Sequence, residues 1–216
     1  YGTAFASQSE LDDYLKQIEE ALKRDHRKVG KDLDLFSIHE EVGAGLIHWH
    51  PRGGMVRHLI EEFWRAEHLK RGYQLVYTPH IASEKLYEIS GHLQNYADLM
   101  YAPMDIDGQP YRVKPMNCPM HIMIYKSRKH SYRELPIRLA EMGTVYRYER
   151  SGVLHGMDRV RGFTVDDSHI FCRPDQLADE VLGILDLMDF LLKSFGYSYV
   201  CYLATRPKDH FLGTEE

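Results

Sequence analysis

The stretch TVYRYERSGVLHGMDRVRGFTVDDSHIFC, residues 144–172, decides the fold more than any other part of the chain. Its β-branched and aromatic runs predict strands at 143–148 and 161–171, joined by the loop between them. The stretch also carries four arginines, four carboxylates and two histidines. We therefore expect a strand pair whose side chains can bind phosphate, a metal ion or a small polar ligand.

The surrounding pattern predicts helices and further strands around this pair. Apolar residues at helical spacing indicate helices over 55–71 and 176–195, and an amphipathic helix that starts near Ser9 and packs on the body of the domain. Asp107-Gly108 indicates a hairpin turn. Further elements are a helix at 119–126 and strands at 73–79, 99–106, 111–114 and 197–204. We infer an α+β fold, a mostly antiparallel sheet flanked by helices.

Composition limits the class of protein. With 44% apolar and 27% charged residues, the 216-residue chain is typical of a globular domain, and a net charge of -5 argues against a general nucleic-acid coat. Three cysteines, a sparse and odd set, favour a reducing compartment, and we expect a cytoplasmic location. No apolar run reaches the length of a membrane span, so no membrane partner is expected.

Cysteine and histidine spacings raise the question of a metal site. Cys118 with His121 and His169 with Cys172 suggest a tetrahedral zinc site with two cysteines and two histidines. The alternative is that these residues are structural, because 13 histidines make such spacings common and cysteines often lie in cores. Side chains three apart on a strand face opposite sides, so only one of His169 and Cys172 readily enters a shared site.

The arginines indicate a phosphate site. An arginine fork matches phosphate oxygens in a bidentate way, and arginines near both strand–loop junctions could clamp a nucleotide triphosphate. The alternative is a pair of surface ion pairs, Arg147–Glu149 and Arg159–Asp158, which stabilise a protein little. The four arginines concerned are Arg147, Arg150, Arg159 and Arg161.

Two further features are weaker. The adjacent acids Asp166 and Asp167 could bind Mg²⁺ or a cationic amine, although on the sequence alone a solvated strand end is the preferred explanation. His92 is a lone histidine, which is more typical of a structural residue. The chain has neither a P-loop nor a G-x-S-x-G elbow, which argues against those nucleotide-binding and hydrolase classes.

Over essentially its whole length the chain resembles class II aminoacyl-tRNA synthetases, and in detail the threonyl-tRNA synthetase family. GYQLVYTP, ending at Pro79, resembles motif 1, and YRYE, with Arg147 and Glu149, fits the aromatic-Arg-x-Glu pattern of motif 2. Segments similar to threonyl-specific ones are KRDHRKVGKDLDLF, KPMNCPMH, RSGVLHG and RVRGFTVDDSHIFC. A match to motif 2 alone would be weak support for the resemblance, whereas this ordered set of motifs is specific to the threonyl-tRNA synthetase family.

The resemblance implies a nucleotide site. Arg147 would hold the ATP α-phosphate and act in catalysis, while Glu149 would meet the adenine amino group. Phe163 would stack on adenine, and Arg159 would reach the γ-phosphate, with magnesium accompanying ATP.

The resemblance also implies a threonine site. Cys118 and His169 would be two of three protein ligands of a zinc ion that grips threonine, whereas His121 and Cys172 would not be ligands. Threonine and valine are nearly isosteric, so an apolar pocket discriminates between them by only about 100-fold. A zinc ion that binds the threonine hydroxyl discriminates further, because valine has no hydroxyl. Asp167 and Met116 would contact the substrate, and His92 would lie near the terminal ribose of tRNA.

The resemblance implies an organisation as well. Residues 1–35 would lead from an absent editing domain, and 36–216 would be the front of the catalytic domain, with motif 3, the third zinc ligand and the anticodon-binding domain absent. Helix 55–71 and strand 73–79 would form a homodimer that acts on tRNA(Thr), threonine and ATP. We expect weak or no aminoacylation by the chain alone.

The sequence departs from the family pattern at two positions, and other interpretations of its function stay open. Val165 stands where many relatives have Gln, and Leu93 replaces a common Trp, so the contacts of those side chains are not carried over. The rival interpretations are a prolyl or seryl synthetase of the same subclass, and a non-catalytic paralogue that binds tRNA or a protein.

Overall fold

The computed structural model describes residues 2–207, which form two compact units, residues 2–171 and 172–207. The helices of the first unit are α1 Gln8–Lys23, α2 His26–Asp32, α3 Pro51–Lys70, α4 Glu84–Ile89, α5 His92–Asn95 and α6 Cys118–Lys126. Its strands are β1 Phe36–Ser37, β2 His48–Trp49, β3 Gln74–Leu75, β4 Ile81–Ser83, β5 Met104–Ile106, β6 Gln109–Val113, β7 Ile137–Tyr146 and β8 Gly162–Phe171.

The central sheet has the order β3-β7-β8. Strands β7 and β8 are antiparallel and pair from Ile137 opposite Phe171 to Tyr146 opposite Gly162, whereas β3 runs parallel to β7. Two smaller antiparallel sheets, β4-β6-β5 and β1-β2, complete the first unit. The predicted α+β fold with mostly antiparallel strands is confirmed.

The two faces of the β7–β8 pair have different neighbours. Asp167 contacts Asn117, beside the first turn of α6, whereas Asp166 lies 3.6 Å from His68 of α3. Alternation along a strand explains this split, because successive side chains point to opposite faces. The adjacent acids therefore do not act as one Mg²⁺-binding pair.

Strand β7 starts earlier than its sequence suggests. It begins at Ile137 instead of residue 143, and its buried residues include Glu141 as well as Ile137 and Leu139. A carboxylate at a buried position interrupts the apolar alternation by which a strand is recognised. The hairpin turn at Asp107-Gly108 is confirmed, since β5 and β6 pair directly on either side of it.

Helix α3 starts earlier than the predicted helix 55–71. It starts at Pro51, whose ring suits a first turn, and the chain turns at Gly72 with φ +80°. The buried residues are Gly53, Trp64 and His68, while the apolar row along the helix is largely exposed. That row includes Val56, Leu59 and Ile60.

Two other predictions need correction. The strand predicted at 73–79 is only Gln74–Leu75, followed by one more backbone hydrogen bond from Val76 to Ala140. Helix α1 forms and is capped by Ser7, but none of its residues is buried, so its predicted packing on the domain is wrong. An amphipathic pattern predicts an apolar face and not the surface that covers it.

In the second unit, a 3₁₀ turn at Pro174–Gln176 precedes α7, Leu177–Ser194, close to the predicted helix 176–195. Tyr199 donates a 2.6 Å hydrogen bond to Asp189 of that helix. The strand predicted at 197–204 is wrong: within 172–207 no residue is in a strand, and strand backbone groups need a paired neighbour. Across residues 2–207 no helix combines the length and apolar character needed to span a bilayer.

Candidate functional site

A cavity of about 830 Å³ opens beside β7 and β8. Its walls include all the residues predicted to bind the nucleotide: Arg147, Glu149, Arg159 and Phe163. The opposite wall comes from β2 and α3, through side chains such as Trp49 and Arg57. The structure therefore brings these predicted residues together around one space.

Arg147 is held between two aromatic rings just after β7 ends. Its guanidinium carbon lies 5.1 Å from the ring centre of Phe163 and 5.9 Å from that of Tyr96. Its Nε donates a 3.4 Å hydrogen bond to the carbonyl of Pro115. Such stacking orients a planar cation, which leaves the terminal guanidinium nitrogens to meet an anionic ligand.

Glu149 is buried, and it pairs with the arginine across the loop. Arg159 Nε donates to Glu149 Oε2 at 3.1 Å, and Arg161 Nε donates to the Glu149 carbonyl at 2.9 Å. The partner of Arg159 is thus Glu149 and not Asp158, the partner considered from sequence. Because the Arg159 side chain is 55% exposed, it can turn to a phosphate when a ligand donor takes its place at the buried Glu149.

Beside the nucleotide residues, the predicted threonine and zinc residues gather around Asp167. Asn117 Nδ2 donates to Asp167 Oδ2 at 3.0 Å, and His169 Nδ1 lies 3.7 Å from Asp167 Oδ1. Burial, and then the charge of Asp167, raises the pKa of the Cys118 thiol. Burial lowers the pKa of His169. His169 thus lies beside the Asp167 carboxylate, and Cys118 directly follows Asn117, which contacts the same carboxylate.

A buried polar network lies behind His169. His169 Nδ1 is 2.9 Å from His121 Nδ1, and His121 Nε2 is 3.0 Å from Glu141 Oε2. Glu141 also accepts hydrogen bonds from the Thr78 amide and hydroxyl, each with a 2.8 Å contact, and lies 3.7 Å from Lys114 Nζ. Burial raises the pKa of Glu141, but the hydrogen bonds from His121 and Thr78 outweigh it and lower the pKa to about 2.

The site with two cysteines and two histidines is not formed. His121 is occupied by Glu141 and His169, and β8 ends at Phe171, so strand alternation says nothing about Cys172. In residues 2–207 no three side chains of the Cys, His, Asp or Glu type are arranged to hold a metal ion. Cys118 and His169 offer two donors of the kind that zinc prefers.

His92 and Met116 lie next to the Arg147 environment. His92 is the first residue of α5, 2.9 Å from Ser90 Oγ, and its ring lies 6.2 Å from Tyr96, one of the two rings around Arg147. Burial lowers the pKa of His92. Met116 is half-buried and directly follows Pro115, whose carbonyl accepts the Arg147 hydrogen bond.

Sequence reasoning missed several residues that shape this site. Asn117 was overlooked, although it orients Asp167, and a Cβ on Gly143 would overlap the Asn117 side chain, so glycine is needed there. Arg57 also went unnoticed: its Nη2 donates to Thr164 Oγ1 at 2.8 Å. The one available signal was Glu141, a carboxylate between the apolar residues Ala140 and Met142.

Comparisons with known proteins agree with this geometry. The sequence profile described as "tRNA synthetase class II core domain (G, H, P, S and T)" matches residues 101–214. A threonine–tRNA ligase from Dehalococcoides mccartyi is 61% identical over 97% of this chain and 36% of its own length. The chain thus spans about a third of that relative.

Solved structures give the same result. The RNA-binding domain of threonyl-tRNA synthetase from Cryptosporidium parvum aligns with a TM-score of 0.84 and 42% identity over 89% of this chain and 48% of that one. A prolyl-tRNA synthetase from Giardia lamblia, in complex with prolyl-adenylate, aligns with a TM-score of 0.70 over 78% of this chain and 35% of its own. At 14% identity this second likeness shows the fold alone. The chain belongs to the family of class II tRNA synthetase core domains, and the relatives that it matches at high identity are threonine–tRNA ligases.

Proposed function

We propose that the chain forms the part of a threonine–tRNA ligase that binds ATP and threonine for threonyl-adenylate formation. The observation that carries this proposal is the adjacency of two groups of residues on β7, β8 and the segment before α6. Arg147 contacts Phe163 and the Pro115 carbonyl, and Asp167, on the same face of β8 as Phe163, contacts Asn117, two residues after Pro115. We propose ATP, magnesium and zinc as the ligands that this arrangement serves.

In the nucleotide half, Phe163 stacks on adenine and the buried Glu149 accepts from its amino group. Arg147 binds the α-phosphate, and Arg159 leaves Glu149 to bind the γ-phosphate. The threonine carboxylate attacks the α-phosphorus, the acyl–phosphate bond forms, and pyrophosphate leaves. Fixed guanidinium groups lower the barrier because they are already aimed at the charge that develops on phosphate.

In the threonine half, Cys118 and His169 hold zinc, and Asp167 accepts from the threonine hydroxyl. Zinc, when bound, would supply a Lewis acid for the polar groups of the substrate. Asn117 keeps the Asp167 carboxylate oriented, since its amide donates to Oδ2 and leaves Oδ1 available. Met116 contacts the substrate from the segment between Pro115 and Asn117.

In the transfer step, we place His92 near the terminal ribose of tRNA(Thr). Its ring packs beside Tyr96, which in turn contacts Arg147, so a nucleotide that reaches His92 also approaches the phosphate site. The Cryptosporidium parvum neighbour is described as an RNA-binding domain, which supports an RNA substrate. The three free cysteines support a location in the cytoplasm.

Amino-acid binding tests the threonine half. Zinc-loaded chain is expected to bind threonine at least about 100-fold more tightly than valine, more than an apolar pocket achieves. Asp167→Ala removes a hydrogen bond to a charged acceptor, so threonine affinity should fall about 10- to 100-fold with little change for valine. Isothermal titration calorimetry measures both affinities.

Asp166→Ala is the matched control for that experiment. Asp166 is the neighbouring residue, but it faces α3 on the opposite side of β8, so threonine affinity should stay unchanged. Equal affinity for threonine and valine, or an equal loss in both variants, would contradict the proposed threonine site.

We also propose that α3 and β3 form a homodimer interface. Met55, Val56, Leu59 and Ile60 are 41–57% exposed along α3, and Tyr77, just after β3, is 81% exposed. An exposed apolar row along a helix is more typical of an interface than of a solvated face.

Sedimentation velocity tests the proposed dimer. The chain should sediment as a dimer, and Leu59→Glu should shift it to monomer because a carboxylate would be buried against apolar residues. Ile89→Glu, at a 72% exposed position on α4, should leave the dimer intact. A wild-type monomer would rule out this interface for the chain.

A further inference from the structure

The His121–His169 contact has a direction that its neighbours determine. His169 meets His121 through Nδ1 on both rings, at 2.9 Å, with the ring planes 82° apart. Two ring nitrogens can share only one hydrogen between them, so one must donate and the other must accept.

Glu141 decides which nitrogen of His121 carries hydrogen. An ionised carboxylate only accepts, and Glu141 is held ionised by the Thr78 amide and hydroxyl and by Lys114 at 3.7 Å. His121 Nε2, 3.0 Å from Glu141 Oε2, is therefore the donor.

His121 Nδ1 is then the acceptor. A neutral imidazole with hydrogen on Nε2 carries a lone pair on Nδ1. His169 can then donate from its own Nδ1 across the 2.9 Å contact.

His169 is therefore protonated on Nδ1, and a second group favours the same tautomer. Asp167 Oδ1 lies 3.7 Å from that nitrogen, where its negative charge stabilises the N–H. His169 Nε2 is left with its lone pair, and within residues 2–207 it has no hydrogen-bond partner.

We propose that Glu141 and His121 act as a relay that sets the tautomer of His169, so that its Nε2 lone pair is presented as the metal-binding nitrogen. Glu141 fixes the hydrogen of His121, and His121 fixes the hydrogen of His169. The function of this relay rests on the proposed role of His169 as a zinc ligand. The tautomer of His169 itself is set without metal. His121 is therefore a positioning residue. This role explains why a fully buried histidine lies beside the Asp167 cluster without being a metal ligand itself.

Long-range ¹H–¹⁵N correlation spectra of the metal-free chain test the tautomer directly. The His169 ring is expected to show a protonated Nδ1 and an unprotonated Nε2, and His121 the reverse. In His121→Phe the ring volume is kept but the acceptor is lost, so the His169 signals should move towards a mixture of both tautomers. In His121→Asn the carboxamide oxygen takes the place of Nδ1, so the wild-type pattern should return.

Zinc affinity, measured by competition with a chromophoric chelator, gives a second readout. Loss of a group that orients a metal-binding histidine weakens metal binding about 10- to 100-fold, so His121→Phe should show such a loss and His121→Asn should recover most of it. The matched control is His130→Phe, since that ring stacks on Tyr125 at 4.4 Å and contacts neither Cys118 nor His169. Its zinc affinity should equal that of the wild type.

The outcomes separate the relay from the zinc site. A wild-type His169 that is protonated on Nε2, or a His121→Phe variant with unchanged tautomer and zinc affinity, overturns the relay even if zinc binds. The expected tautomers in a chain that binds no zinc support the relay and overturn the proposed metal role of His169.

Discussion

Replacing Arg147 by alanine is expected to lower ATP affinity about 10- to 100-fold, because hydrogen bonds from a guanidinium to phosphate are charge-assisted and contribute about 1.5–3 kcal/mol. The structure concentrates the effect in this side chain, since Phe163, Tyr96 and the Pro115 carbonyl all hold it in one orientation. Titration of a fluorescent ATP analogue by the purified chain measures the loss.

Two variants determine whether geometry or charge explains that result. Arg147→Lys keeps the charge but cannot stack as a plane between two rings, so it should recover only a small part of the affinity. Arg150→Ala removes an exposed arginine three residues further on and should leave ATP binding unchanged. Equal losses in Arg147→Ala and Arg150→Ala would mean that the chain attracts ATP by general positive charge, and the nucleotide site would be placed wrongly.

Replacing Glu141 by alanine is expected to lower the free energy of unfolding by about 3–5 kcal/mol, a large fraction of the total stability of a domain. The carboxylate is 5% exposed, and its removal leaves His121 and the Thr78 amide without their acceptor and the buried Lys114 without its counter-ion. Urea denaturation followed by circular dichroism measures the change. Glu134→Ala is the control, since that exposed carboxylate pairs with Arg128 at the surface and its loss should change stability little.

The same carboxylate predicts a dependence on pH. The pKa of Glu141 falls from an ordinary 4.5 to about 2 in the folded protein, so its stabilisation is complete above pH 4.5 and is lost as pH falls towards 2. The stability of the wild type should therefore decrease more steeply than that of Glu141→Ala between those two pH values. Parallel curves would show that the network does not depend on an ionised Glu141.

The sequence by itself determined the elements whose signals are local. Alternation and turn residues lie within a few positions of one another, and they predicted the β7–β8 pair, the turn at Asp107-Gly108 and the end of α3 before Gly72. The ordered motifs also sufficed for the class II resemblance, which the matching profile and the relatives confirm.

Only the tertiary structure decided which side chains meet. Asn117 and Asp167 are 50 residues apart and His121 and His169 are 48 apart, so no local pattern relates them. The start of β7 was missed for a related reason: the burial of Glu141 is tolerable only because Thr78, Lys114 and His121 arrive from three other segments. Secondary structure follows from neighbouring residues, whereas a buried polar network depends on partners that folding alone brings together.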